Sequence, residues 1–128
     1  MPKPTSSVDL NPLNSTVQPG QQGRLYGTVY ENVLVRDTED CPPGKTCWEL
    51  QSSPLVDVTV QLFFGWSNGK WTPQDEATTG ADGTFNFSIE NRSLLSATGT
   101  AIYKAYFDGK MSIPGSWSNV VQVTLLGL

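Results

Sequence analysis

Histidine is missing from all 128 residues. Its absence removes Ser-His-Asp and Cys-His relays, imidazole metal ligands and histidine-based pH switches together. Charge is also scarce, at 16% of residues, and with 8 basic against 12 acidic side chains the net charge is -4. The basic footprint that nucleic acid requires is therefore absent. No apolar run approaches the roughly 18 residues of a membrane-spanning helix, and residues 1–20 lack the apolar stretch of a secretory leader. The sequence thus predicts no nucleic-acid partner, no membrane partner, no cofactor and no metal.

What is present points to turns and strands. Twelve glycines and nine prolines accompany 38% hydrophobic residues, and a chain of this length builds one domain with one core. Period-two alternation dominates. Val56, Val58, Val60, Leu62, Phe64 and Trp66 share one face, with Asp57, Thr59 and Gln61 opposite and Phe63 breaking the polar side. Similar runs are Leu25-Gly27-Val29, Phe85-Phe87-Ile89, Ala101-Tyr103-Ala105-Phe107 and Val121-Val123-Leu125. Turn signals fall between them: Asn68-Gly69, which would set Trp66 opposite Trp71, then Gly80 to Gly83, Asp108-Gly109 and Pro114-Gly115. After Trp71 the alternation fails, so that strand reads as an edge that peels away. Residues 91–98 (NRSLLSAT) are suited to one helical turn. The fold class is all-β: a Greek-key β-sandwich of about seven antiparallel strands.

Residues 1–18 read as an extended arm ahead of a single domain over 19–128. Pro2, Pro4 and Pro12 keep the arm extended, while Val8 and Leu10 suit a short edge strand, with Leu13 and Val17 as further anchors, laid either on the chain's own sheet or on a neighbouring subunit. Removing the arm is expected to leave a folded monomer. Residues 31–53 form a long excursion, read as a small hairpin of Val33–Arg36 against Trp48–Gln51. Cys41 and Cys47 frame a Pro-Pro-Gly run within it. A local disulfide is the favoured reading, a reduced pair the alternative, and two thiols without histidine fall short of a metal site. A bonded pair implies an oxidising setting.

The order Pro19-Gly20, Gly27-Thr28-Val29, then Val56 to Leu62, then Thr78-Thr79-Gly80-Ala81-Asp82-Gly83-Thr84-Phe85 resembles bacterial, archaeal and phage Ig-like domains. Gly99-Thr100-Ala101, Tyr106-Phe107-Asp108-Gly109 and Ser116-Trp117-Ser118-Asn119-Val120-Val121-Gln122-Val123-Thr124 extend the likeness. Transthyretin-like surface domains share much of this pattern. The cysteines do not stand where they would bridge two sheets, and the 31–53 excursion departs from the family pattern. The resemblance implies spacers, adhesion modules or assembly subunits of surface proteins and virions, and it carries no catalytic residues.

Candidate chemistry is sparse. Asp37, Glu39 and Asp40 lack calcium-loop spacing and read as a solvated acidic loop, with Asp82 and Asp108 as turn caps. Asp75 and Glu76 are adjacent and point to opposite faces, which does not suit an acid-base pair. Asn14, Asn86 and Asn91 match the glycosylation acceptor pattern. Trp48, Trp66, Trp71 and Trp117, with Tyr26 and Tyr30, suggest either an aromatic platform or ordinary packing; packing is favoured for Trp66 and Trp71. Tyr26, Tyr30 and Phe63 lie on outer faces, where an apolar patch marks an interface.

The sequence therefore predicts a non-catalytic Ig-like subunit that binds other protein subunits. A virion structural or capsid-decoration protein, or a cell-surface fibre or adhesin subunit, fits best. Its expected contacts are Val8, Leu10, Leu13, Val17, Tyr26, Tyr30, Trp48, Phe63 and Trp117. A carbohydrate-binding module or a spacer domain is the alternative, with glycans as the other partner class.

Overall fold

The computed structural model describes residues 3–37, 39, 41–66, 70–91 and 98–127. Ten strands follow in order: β1 (Thr5–Pro12), β2 (Thr16–Val17), β3 (Gln22–Asp37), β4 (Cys47–Pro54), β5 (Thr59–Trp66), β6 (Thr72–Thr78), β7 (Thr84–Glu90), β8 (Gly99–Lys110), β9 (Ile113–Trp117) and β10 (Val121–Leu125). The chain is all-β, as its alternation predicts. The expected turn at Asn68-Gly69 and residues 92–97 of the expected 91–98 helical turn lie outside the described residues, as do Pro2 and Asp40.

Two sheets share one core. The first runs β1-β3-β4, with β7 also paired to β3; the second runs β2-β10-β8-β5-β6, with β9 also paired to β8. Each is built on a long strand that carries two shorter ones along it. β3 pairs with β7 through Gln22–Thr28 and with β4 through Tyr30–Asp37. β8 likewise pairs with β10 through Gly99–Tyr103 and with β9 through Tyr106–Lys110. Leu25, Val29, Phe85, Phe87 and Ile89 from one sheet meet Val60, Leu62, Tyr103, Phe107 and Val123 from the other. Burying every second side chain of both sheets is how two half-apolar sheets satisfy themselves.

The expected arm belongs to this core. β1 pairs with β3 over eight residues, Val8 opposite Val29 and Leu10 opposite Gly27, and β2 pairs in parallel with β10. Val8, Leu10 and Val17 are buried in the chain's own core and are not available to a neighbour. Gly27 is the local cause, because a side chain there would collide with the Asp9 carbonyl of β1. Asn119 fastens the same strand from the opposite sheet: its side-chain oxygen accepts from Leu10 N at 3.0 Å and its amide donates to Leu10 O at 2.8 Å.

Other expectations shift. Val56 and Trp66, expected on the core face, are exposed: Val56 because β5 begins only at Thr59 after Asp57 adopts a positive φ of 63°, and Trp66 as the last residue at the far end of that strand. Phe64 pairs with Thr72, a register that carries Gly65, not Trp66, towards Trp71, and a backbone oxygen of Lys70 leaves no room for a side chain on Gly65. β6 is an edge strand, but it stays paired as far as Thr78 and absorbs its Pro73 through an irregularity at Leu62/Phe63. Asp108-Gly109 and Pro114-Gly115 lie inside paired β8 and β9; the chain reverses at Met111-Ser112, with Met111 at φ 54°. The Gly80–Gly83 turn stands as expected, closed by Gly83 N donating to Gly80 O at 3.0 Å. Asp82 accepts from the Thr84 hydroxyl at 2.5 Å and from its backbone amide, which holds its carboxyl below the ordinary range.

Candidate interaction surface

β3 is twice as long as its inner partners. Through Thr28 it is flanked by β1 and β7, but beyond Asn32 only β4 accompanies it. Val33–Asp37 and Cys47–Gln51 therefore leave the sandwich as a two-stranded ribbon, with Val33 opposite Gln51, Leu34 opposite Leu50 and Arg36 opposite Trp48. The two runs are those expected to pair, Val33–Arg36 against Trp48–Gln51. Cys41 and Cys47 are disulfide-bonded, with Cα atoms 5.7 Å apart. Between them Lys45 N donates to Pro42 O at 3.2 Å, and Gly44 stands at φ 82°. Pro43 then Gly44 is the residue order that a type II turn requires. Turn and disulfide together brace the tip.

An isolated ribbon cannot bury both of its faces. Even-numbered positions of β3 share a face with Trp48, Leu50 and Ser52 of β4. Tyr26, Leu34, Trp48 and Leu50 are exposed on that face and Tyr30 is half-buried; the polar pair Asn32 and Ser52 separates the two tyrosines from the apolar cluster of Leu34, Trp48 and Leu50 on the ribbon. The structure brings Tyr26, Tyr30 and Trp48 onto this single face. Sequence reasoning did not single out Leu34 and Leu50. The consecutive Val33-Leu34-Val35 was the available signal, since three apolar residues in a row exceed what a half-buried strand consumes.

Phe63 and Trp117 lie elsewhere, on the outer face of the second sheet. Trp117 stacks on Tyr106 at 4.5 Å and meets the edge of Phe63 at 5.1 Å. Lys104 Nζ sits 4.1 Å from the Trp117 ring centre and 4.3 Å from that of Trp71. Two residues of the expected aromatic platform, Trp71 and Trp117, thus meet around a lysine, while Trp66 packs against Phe64 on the other face. Leu13 is exposed beside the start of β2 and joins neither group.

No other cluster of chemical groups emerges among the described residues. Among the described residues no group of three or more acidic or thiol side chains is placed to hold a metal ion. Asp75 Oδ1 accepts from the Glu76 amide at 2.7 Å, and both side chains are exposed. Asn91 is buried, and its amide donates to Val17 O and Leu126 O, each at 2.9 Å, which makes it a bolt between chain segments and not a surface acceptor. Comparison with protein-family models, with curated proteins and with solved structures finds no match.

Proposed function

We propose that this chain is a non-catalytic Ig-like module that binds protein subunits of a larger assembly, as a structural or decorating component of a virion or a cell-surface fibre. The ribbon carries the reading. It adds nothing to the core, yet it is braced by a disulfide and exposes Leu34, Trp48 and Leu50 side by side. Exposed apolar area on a preorganised element favours a protein contact, because little side-chain and backbone freedom remains to be lost on binding. The strand order supports the Ig-like part: β1-β3-β7 faces β10-β8-β5-β6, and β2 runs parallel to β10 along the opposite sheet's edge. The disulfide favours an oxidising setting such as a virion or cell surface.

The contact surface is the 31–53 hairpin and the outer face behind it, in place of the N-terminal segment. The test is to produce the protein and its Leu34→Ser/Leu50→Ser variant in the native source and follow each through sedimentation. The wild-type chain is expected with large particles and the variant among small soluble species. A wild-type chain that sediments as a lone monomer overturns the assembly reading.

A glycan-binding reading is favoured by one observation, the half-exposed Trp117 held between Phe63, Tyr106 and Lys104. It requires retardation in polysaccharide gels that Trp117→Ala abolishes. A spacer domain would show neither behaviour.

A further inference from the structure

We propose that the outer edge of β4 accepts an extended protein segment whose residues alternate between basic and apolar, so that the partner adds a strand to the ribbon. The inference rests on reading the ribbon as the contact surface and names what that surface takes.

The first observation is the edge. β3 is the only strand that β4 pairs with, so along its other side the backbone groups of Cys47–Pro54 have no strand partner among the described residues. An open edge offers main-chain hydrogen bonds to any extended chain, and side-chain pockets then decide which chain binds. The two faces of β4 ask for different residues. Trp48 and Leu50 point to the apolar side, where a neighbouring strand would set its own apolar residues beside them. Glu49 points to the other side, near Val35 in register, with Glu31 further along the same face. Neither Glu31 nor Glu49 forms an ion pair among the described residues.

Charge identifies the occupant. Residues 31–53 contain five acidic side chains (Glu31, Asp37, Glu39, Asp40 and Glu49) against two basic ones (Arg36 and Lys45), which places three of the chain's four net negative charges on this hairpin. A basic segment is drawn to that field and fixed in register by Glu49. A second copy of the ribbon would bring like charge to like charge, with Glu49 near its own equivalent across a two-fold axis.

The probe is a short capped peptide of alternating lysine and valine, titrated into the intact protein and followed by amide chemical shifts and hydrogen exchange. The expected result is new protection confined to alternate amides of β4. Affinity should fall at least tenfold for Leu50→Ser, for Glu49→Lys, and for the peptide in which glutamate replaces lysine. Leu50 and Glu49 are both exposed, so the fold tolerates these changes. Equal binding of both peptides, protection on β6 in place of β4, or no binding overturns the proposal. Protection of β4 that grows with protein concentration alone also overturns it, in favour of self-pairing. These results stand apart from the sedimentation test: particles that exclude the Leu34→Ser/Leu50→Ser variant while the peptide fails to bind would leave the ribbon as the contact and refute only this partner chemistry.

Discussion

Asn91 and Tyr103 show how single residues couple this structure to stability. Asn91, directly after β7, ties the end of that strand to the ends of β2 and β10 through two carbonyls, Val17 O and Leu126 O. Removing its amide breaks both bonds, at about 0.5–1.5 kcal/mol each, although Val17 O keeps Leu126 N as a donor at 3.0 Å. Asn91→Ala should therefore lower the unfolding free energy by about 1–3 kcal/mol, read as a lower denaturant midpoint at unchanged slope; no change in midpoint would show that water replaces the amide. Tyr103 lies 3% exposed in the core, and burial pushes its phenol from 10.0 up to about 12. The unfolded phenol loses its proton first, so between these pH values the native state holds more protons and stability falls as pH rises. Urea midpoints of Tyr103→Phe should decline less steeply than the wild type's over that range, and parallel curves would refute the assignment. Neither role is legible from alternation, which marks Tyr103 as inward but not the depth of its burial, and marks Asn91 only as a residue after a strand.

At the scale of elements, the ribbon and the sandwich should respond separately to reduction. The ribbon's inner contact is its own pairing, whereas β5, β7 and β8 lie over the core. A short disulfide ring contributes about 2 kcal/mol in the loop-entropy model, chiefly to the segment it closes. Reduction is thus expected to speed hydrogen exchange at Val33–Arg36 and Trp48–Gln51 while leaving β5, β7 and β8 protected. Loss of protection throughout would mean that the tip supports the whole fold. This hairpin was legible in the sequence because its two runs are short, close together and joined by a Pro-Pro-Gly turn. The β8–β9 reversal was misread because Asp108-Gly109 and Pro114-Gly115 advertise turns, while the residues that reverse the chain, Met111 and Ser112, carry no such signal.

At the scale of the molecule, the N-terminal strand decides whether there is a core at all. Val8 and Leu10 each contribute about 1.5–3 kcal/mol by burial, against a typical total of about 5–15 kcal/mol for a domain. Deleting residues 1–18 also uncovers β3 and removes Val17 from beneath β10. The truncated chain is expected to lose its cooperative thermal transition by circular dichroism. A truncated protein that melts sharply near the wild-type temperature would show β1 and β2 to be dispensable. Truncation is consequently not a way to test assembly, and substitutions on the ribbon are.

Local periodicity determined the strands and their inward faces, since pleating forces successive side chains to opposite sides whatever the chain meets later. Closeness in sequence, with the Pro-Pro-Gly turn, likewise marked the two runs of the hairpin and the nearness of Cys41 to Cys47. Tertiary structure alone decided where β1 docks, which sheet each aromatic serves, and which apolar residues are left over. Those outcomes depend on pairings between residues as distant as Leu10 and Asn119, and no local pattern records the partner that a strand edge will find.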